Sequence, residues 1–284
     1  MSRALDAAGH ACLFAAHPRA SALRALYQWS GVIDELVASG RTRSHEAAHH
    51  KLQWWQEELQ RLHAGKPAHP ITRELHAIAA EPGLWTELAE RLELAAMELA
   101  GVAPDDQAAA ARWDWRRQGA LQWTALRLLA PEATSAGSET AGSLRQFAQH
   151  LAVGLGRLDA CTSPLQQARQ GRLGLPLEAL EAQGIPLHEL PEALGTTAHS
   201  QGLAALVLEQ LALGENALAL ATEQWQDLKP TVRSQLRHTA VRLALARDAL
   251  RRLQQQPLNS HADALLPPWR TLWSAWYAAR RADR

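Results

Sequence analysis

The run His45-Glu46-Ala47-Ala48-His49 has the spacing H-E-x-x-H, which on a helix sets two imidazoles on one face beside a carboxylate that can act as a base. That is the donor pattern of a zinc hydrolase. Here the run follows Ser44 in a polar stretch, His50 and Lys51 come next, and Glu74 is the best available third ligand. Thirteen His in the chain make the spacing easy to meet by chance, so it reads as a surface match. Asp34 and Glu35 form an adjacent acidic pair, and by themselves they read as a solvated or cavity-lining turn. In the tail, Trp269, Trp273, Trp276 and Tyr277 fall largely on one face of residues 268–281, with Arg270, Arg280 and Arg281 close by. Rings and guanidiniums on one short helix suit a bilayer interface. The alternative, a last helix docked on the domain with an Arg-rich end, is the preferred reading of the residues alone.

The elements that would position these residues are helices. Ala, Leu, Glu, Gln and Arg dominate and β-branched residues are scarce. Helical periodicity predicts segments near 19–38, 44–63, 70–81, 84–100, 105–130, 138–166, 197–226, 230–255 and 268–281, with a short one after Pro176. Ser44 suits an N-cap and Pro70 a first turn, while Gly65, Pro82-Gly83 and Pro131 separate segments. Leu144, Phe147, Leu151, Leu155 and Leu158 make one apolar stripe. Trp54 and Trp55, being adjacent, must point to different sides of their helix.

The expectation is one all-α domain over residues 1–284, with 261–284 a docked or membrane-facing C-terminal helix. Twenty-nine basic and 29 acidic residues balance, which argues against nucleic acid as a partner. Cys12 and Cys161 lie far apart in no ligand spacing, so no disulfide framework is expected and a reducing cytoplasm fits. Arg3, Asp6, His10 and His17 break up the first twenty residues, which do not read as a signal peptide. No apolar stretch is expected to reach the roughly 18–20 residues that cross a bilayer.

Two segments, Ala22–Ser39 (ALRALYQWSGVIDELVAS) and His150–Pro176 (HLAVGLGRLDACTSPLQQARQGRLGLP), together resemble the squalene/phytoene synthase family. Its motifs read ALYAFCR-x-x-DD-x-x-D and D-x-x-x-D-x-x-x-GR-x-Y-x-P. The similarity extends to Lys51–Leu59 (KLQWWQEEL), Pro67-Ala-His-Pro70, Met97-Glu98, and Leu175-Pro176 followed by Leu180 and Gly184-Ile185. Aligned through Tyr27, Asp34 and Glu35 take the family's acidic pair, while its third acid falls on Ala38 and its Arg on Gly31. Counting back from Gly171-Arg172, the two acids of the second motif fall on Ser163 and Gln167, and its aromatic on Gly174. Asp159, one turn before Ser163 on the predicted helix, is a candidate displaced ligand.

The resemblance implies an isoprenoid-synthase-type helical bundle around a central apolar cavity. It implies Asp34, Glu35 and Asp159 as candidate catalytic and Mg2+ ligands and Arg172 as a diphosphate contact. An enzyme of this family clamps diphosphate between Mg2+ ions and paired carboxylates and shields the cation in an apolar cavity. Eroded acids also resemble one branch, the mitochondrial assembly factor for respiratory complex I and its bacterial relatives. The leading expectation is therefore a non-catalytic protein, cytoplasmic or peripheral on the inner membrane, that binds a prenyl diphosphate or isoprenoid lipid, or a protein partner such as a respiratory complex. The alternative is an active Mg2+-dependent prenyltransferase that joins two prenyl diphosphates head to head.

Overall fold

A computed structural model describes residues 11–15, 19–42, 44–78, 82–135, 137–170, 172–188, 190, 197–258 and 268–282. The described residues are helices and short connections, with no strand among them. Helix α1 is Arg19–Thr42, α2 His45–His63, α3 Pro70–Ile78 and α4 Leu88–Leu99. Helix α5, Gln107–Asp114, runs through a π turn at Trp115–Gly119 into α6, Ala120–Leu129. Next come α7, Ala141–Cys161, α8, Pro164–Arg169, and α9, Leu177–Ala182. The last four are α10, Thr197–Asp227, α11, Pro230–Gln235, α12, Arg237–Gln255, and α13, Pro268–Ala282.

The punctuation follows local chemistry. Ser44 Oγ accepts from Ala47 N to start α2, and Asp106 Oδ1 accepts from Ala109 N at 2.6 Å to start α5. The predicted 84–100 helix divides into a 3-10 turn, Pro82–Trp85, and α4. The predicted 138–166 helix also breaks. It ends at Cys161, Ser163 turns left-handed (φ 61, ψ 54), and Pro164 opens α8. Proline cannot donate to the preceding turn and pushes the residue before it out of the right-handed helical region.

Helix α7 lies along α10, and α1 packs on α2, α3, α4 and α6. One continuous core joins Leu26, Trp29 and Ile33 of α1 to Leu59 of α2, Leu126 of α6, Phe147 and Leu151 of α7 and Leu211 of α10. Of the paired tryptophans Trp55 is buried and Trp54 exposed, as their adjacency requires. Contrary to expectation, His199–Asp227 is long and apolar enough to cross a membrane by length and composition. In this fold that helix packs Leu203, Leu206, Val207, Leu211 and Leu218 into the core.

Polar clamps fix the spacing of the helices. Arg157 of α7 is buried and forks onto Asp114 of α5, with Nε to Oδ2 at 2.8 Å and Nη2 to Oδ1 at 2.7 Å. Its Nη1 donates to Gln210 of α10 at 2.9 Å, and Gln210 donates on to Gln107. Such a two-point grip on a planar carboxylate is what arginine does best. It needs Gly156, because a Cβ there would overlap the Asp114 carboxylate.

Candidate functional site

Helices α1, α7 and α8 and the π turn enclose a cleft of about 640 Å³. Asp34 and Glu35 reach it from α1, Asp159 from α7, Arg117 from the π turn and Arg172 from the segment after α8. All four residues singled out in the sequence thus line one cleft. Among the described residues, however, no three acidic, His or Cys side chains are grouped to hold a metal ion.

Arginines hold two of the three cleft carboxylates. Arg91 of α4 donates from Nη2 to Asp34 Oδ1 at 2.6 Å and from Nη1 to Glu98 Oε2 at 3.2 Å. Arg117 pairs with Glu98 through Nη2 and with Asp159 Oδ2 through Nη1, the latter at 3.2 Å. Arg172 closes a ring, with Nη2 3.7 Å from Asp34 Oδ1 and Nε 3.5 Å from Glu98 Oε1. Asp34, Arg91, Glu98 and Arg172 therefore form a closed circuit, to which Arg117 and Asp159 are attached. Glu35 is exposed at the rim.

Glu98 sits at the centre and is fully buried. Burial opposes its charge, but the Arg117, Arg172 and Arg91 guanidiniums overcome that and hold its carboxyl at about 2. Arg117 is pushed the other way: burial disfavours its charge, and Glu98, Asp159, Asp34 and Asp114 more than compensate, raising its pKa. Arg172 has the longest contacts of the three and stands at the cleft wall, so it is the guanidinium best placed to turn toward a ligand.

Sequence reasoning missed Arg91, Arg117 and the role of Glu98. Arg91 and Glu98 are seven residues apart on the buried stripe of α4, among Leu88, Leu92, Ala95 and Leu99. Two opposite charges on an apolar face were the available signal, because such residues are buried only when paired. Arg117 carried no comparable signal, since the π turn that aims it breaks the 3.6-residue period.

The second motif departs furthest from the expected geometry. Ser163 is left-handed at a helix break, so it does not share a helical face with Asp159 as the sequence reading supposed. The Gln167 side-chain amide donates to the carbonyl oxygens of Asp159 and Thr162 at 2.6 and 2.9 Å, satisfying the open end of α7. Where the family has an aromatic, a Cβ on Gly174 would come within 2.7 Å of Ala160 Cβ. Gly171 lies outside the described residues.

A magnesium ion takes six oxygen ligands and relies on carboxylates to anchor it. Here Asp34 already accepts from Arg91 and Asp159 from Arg117, so a metal would compete with those bonds, and their release would leave both buried guanidiniums on Glu98 alone. The donor set does not fit a magnesium site of the expected kind. The H-E-x-x-H run offers no alternative: His45, Glu46 and His49 are exposed, and His45 Nε2 contacts the Leu99 carbonyl at 3.0 Å.

Beside its charged residues the cleft has neutral donors and acceptors along its walls, Gln28, Gln118, Gln166 and Gln170. Amide N–H and guanidinium groups can hold phosphate or hydroxyl oxygens without a cation.

A profile of the squalene/phytoene synthase family matches residues 10–277. No curated protein matches the sequence. The fold is similar to a crystal structure of a dehydrosqualene synthase in complex with ligand, with a TM-score of 0.71 and 16% identity over 95% of this chain and 89% of that one. It is also similar to squalene synthase HpnC from Alicyclobacillus acidocaldarius, with a TM-score of 0.64 and 17% identity over 89% of each chain. At these identities the likeness shows the all-α isoprenoid-synthase fold.

Proposed function

The chain belongs to the squalene/phytoene synthase family, and from that premise we propose that it binds a prenyl diphosphate or isoprenoid lipid in the Asp34–Arg172 cleft without condensing it. The ring of Asp34, Arg91, Glu98 and Arg172 carries this reading. It engages with guanidinium the Asp34 carboxylate, which the family resemblance assigns to metal, and Arg117 does the same for Asp159. In place of metal-assisted ionisation, Arg172 and the glutamine amides act as hydrogen-bond donors to the head group. The resemblance to the complex I assembly factor supports the same reading, a scaffold that has kept its fold and given up its chemistry, with a respiratory-complex partner as its extension.

The competing reading, head-to-head condensation of two prenyl diphosphates, draws on Asp34, Glu35 and Asp159 lining one cleft. One set of measurements separates the two. Binding of farnesyl diphosphate, geranylgeranyl diphosphate and farnesol is followed calorimetrically in chelator and in magnesium, beside an assay for released diphosphate and lipid product. The expected result is binding that survives chelation and weakens about tenfold in Arg172→Gln, one lost charge-assisted contact, with no turnover. Magnesium-dependent turnover abolished by Asp34→Ala would overturn the non-catalytic reading.

A further inference from the structure

Helix α13 docks by its smallest residues and presents its largest to solvent. Ala275, Ala279 and Ala282 are buried, the first two against Val241 and Leu245 of α12 and against Ala11. The opposite face carries Trp273, Trp276 and Tyr277, with Leu272 exposed at its edge; Trp273 is 66% and Tyr277 50% exposed. A helix that only needed to pack on the domain would turn its aromatic residues inward. The sequence set docking and membrane contact as alternatives, yet the two faces of one helix allow both. The side chain of Trp269 lies outside the described residues.

The charged residues of α13 are all cations, Arg270, Arg280 and Arg281. Two of these cations stand on the aromatic face itself, Arg280 over the Trp276 ring and Arg281 over the Tyr277 ring, each at 4.6 Å. Beside them Arg280, Arg237 and Trp276 border a hollow of about 280 Å³ with Leu13, Phe14 and Ala15, and Leu13 is 70% exposed. Apolar side chains able to enter the acyl boundary thus alternate with cations at the level of lipid phosphates. A second copy of the chain is a poor occupant, since a two-fold contact through this face would bring the two cationic regions together.

We propose that the exposed face of α13, with Leu13 and the Arg237–Arg280 hollow, seats the protein on an anionic phospholipid bilayer. This goes beyond the cleft and does not depend on what the cleft binds. The aromatic residues enter the interface, the arginines meet phosphate, and the alanine face keeps the helix on the domain.

The test is vesicle flotation with the full-length chain, using phosphatidylcholine vesicles with and without about one third phosphatidylglycerol, a content on the order of that at anionic membrane surfaces. Binding is expected to rise at least tenfold with the anionic lipid and to weaken in high salt. Trp273→Ser/Trp276→Ser/Tyr277→Ser should reduce it about tenfold or more, as should Arg280→Glu/Arg281→Glu, which leaves the rings and the docking face in place. An unchanged circular-dichroism melting curve shows that each variant is folded. Absence of binding to anionic vesicles, or binding that both variants retain, would overturn the proposal. So would a dimer seen by light scattering and abolished by the same substitutions.

Discussion

Gln167 donates its side-chain amide to the carbonyl of Asp159 across 2.6 Å, so the residue at the family's second acid position now closes the helix that bears the neighbouring carboxylate. A carboxylate cannot donate this bond or the companion one to Thr162. Restoring the motif by Ser163→Asp/Gln167→Asp is therefore expected to destabilise the protein by about 1–3 kcal/mol through the lost capping bonds. It is not expected to create magnesium-dependent turnover. Urea denaturation and a diphosphate-release assay check the two halves separately.

Glu98 is the acid on which three arginines converge. Glu98→Gln keeps the shape but removes the charge, leaving Arg91 and Arg117 buried against an amide. Breaking a buried pair from one side costs about 3–5 kcal/mol, and chemical denaturation should show a loss of that order. Glu35→Gln, at the exposed rim, should leave stability within about 0.5 kcal/mol.

Two glycines of α7 make a matched pair. Gly156→Ala forces the Asp114 carboxylate away from Arg157 and is expected to cost about 1–3 kcal/mol. Gly142→Ala meets no atom within 4 Å and should be neutral or gain about 0.5–1 kcal/mol from the restricted unfolded chain. Thermal melts of both variants decide whether close helix approach, rather than glycine itself, is what matters.

His238 sits fully buried, its ring 5.4 Å from that of Tyr27, and neither ring nitrogen has a hydrogen-bond partner. Burial, with the nearby Arg242 charge, pushes its pKa from 6.5 down to about 3. Between those values the unfolded chain binds the extra proton, so stability falls as pH drops through that window. Glu58 and Glu98 act lower down. Both are held at about 2 against an ordinary 4.5, so the stability they contribute above 4.5 is lost as pH falls toward 2. His238→Phe should remove the His238 share of the fall between pH 6.5 and 4.5, so that the variant loses less stability there than the parent, and leave the loss from Glu58 and Glu98 below it, read from melting temperature against pH.

Helix positions were legible because apolar periodicity and capping residues are local signals. Ser44, Pro70 and the stripe from Leu144 to Leu158 all stand where the sequence placed them. The break at Pro164 was also legible in principle, but the periodic stripe before it outweighed the proline. In the site, Asp34, Glu35, Asp159 and Arg172 could be found by motif alignment, and they do share a cleft. Their electrostatic partners could not be found that way, because Arg91 pairs with Asp34 across 57 residues and Arg117 with Asp159 across 42. Only the charged pair on the apolar face of α4 hinted that the carboxylates would be paired with arginine instead of left open.

The π turn at Trp115–Gly119 makes α5 and α6 one rod with two angular phases. Its extra residue turns everything after it by about 100° relative to a continuous α-helix. Asp114, on one side of the turn, faces Arg157, while Arg117, within it, faces Glu98 and Asp159. Side-chain substitutions can weaken either contact, but only a change in residue count can put the two out of step. The spacing of the domain clamp and the charge state of the cleft are thus encoded together, in the length of one five-residue turn.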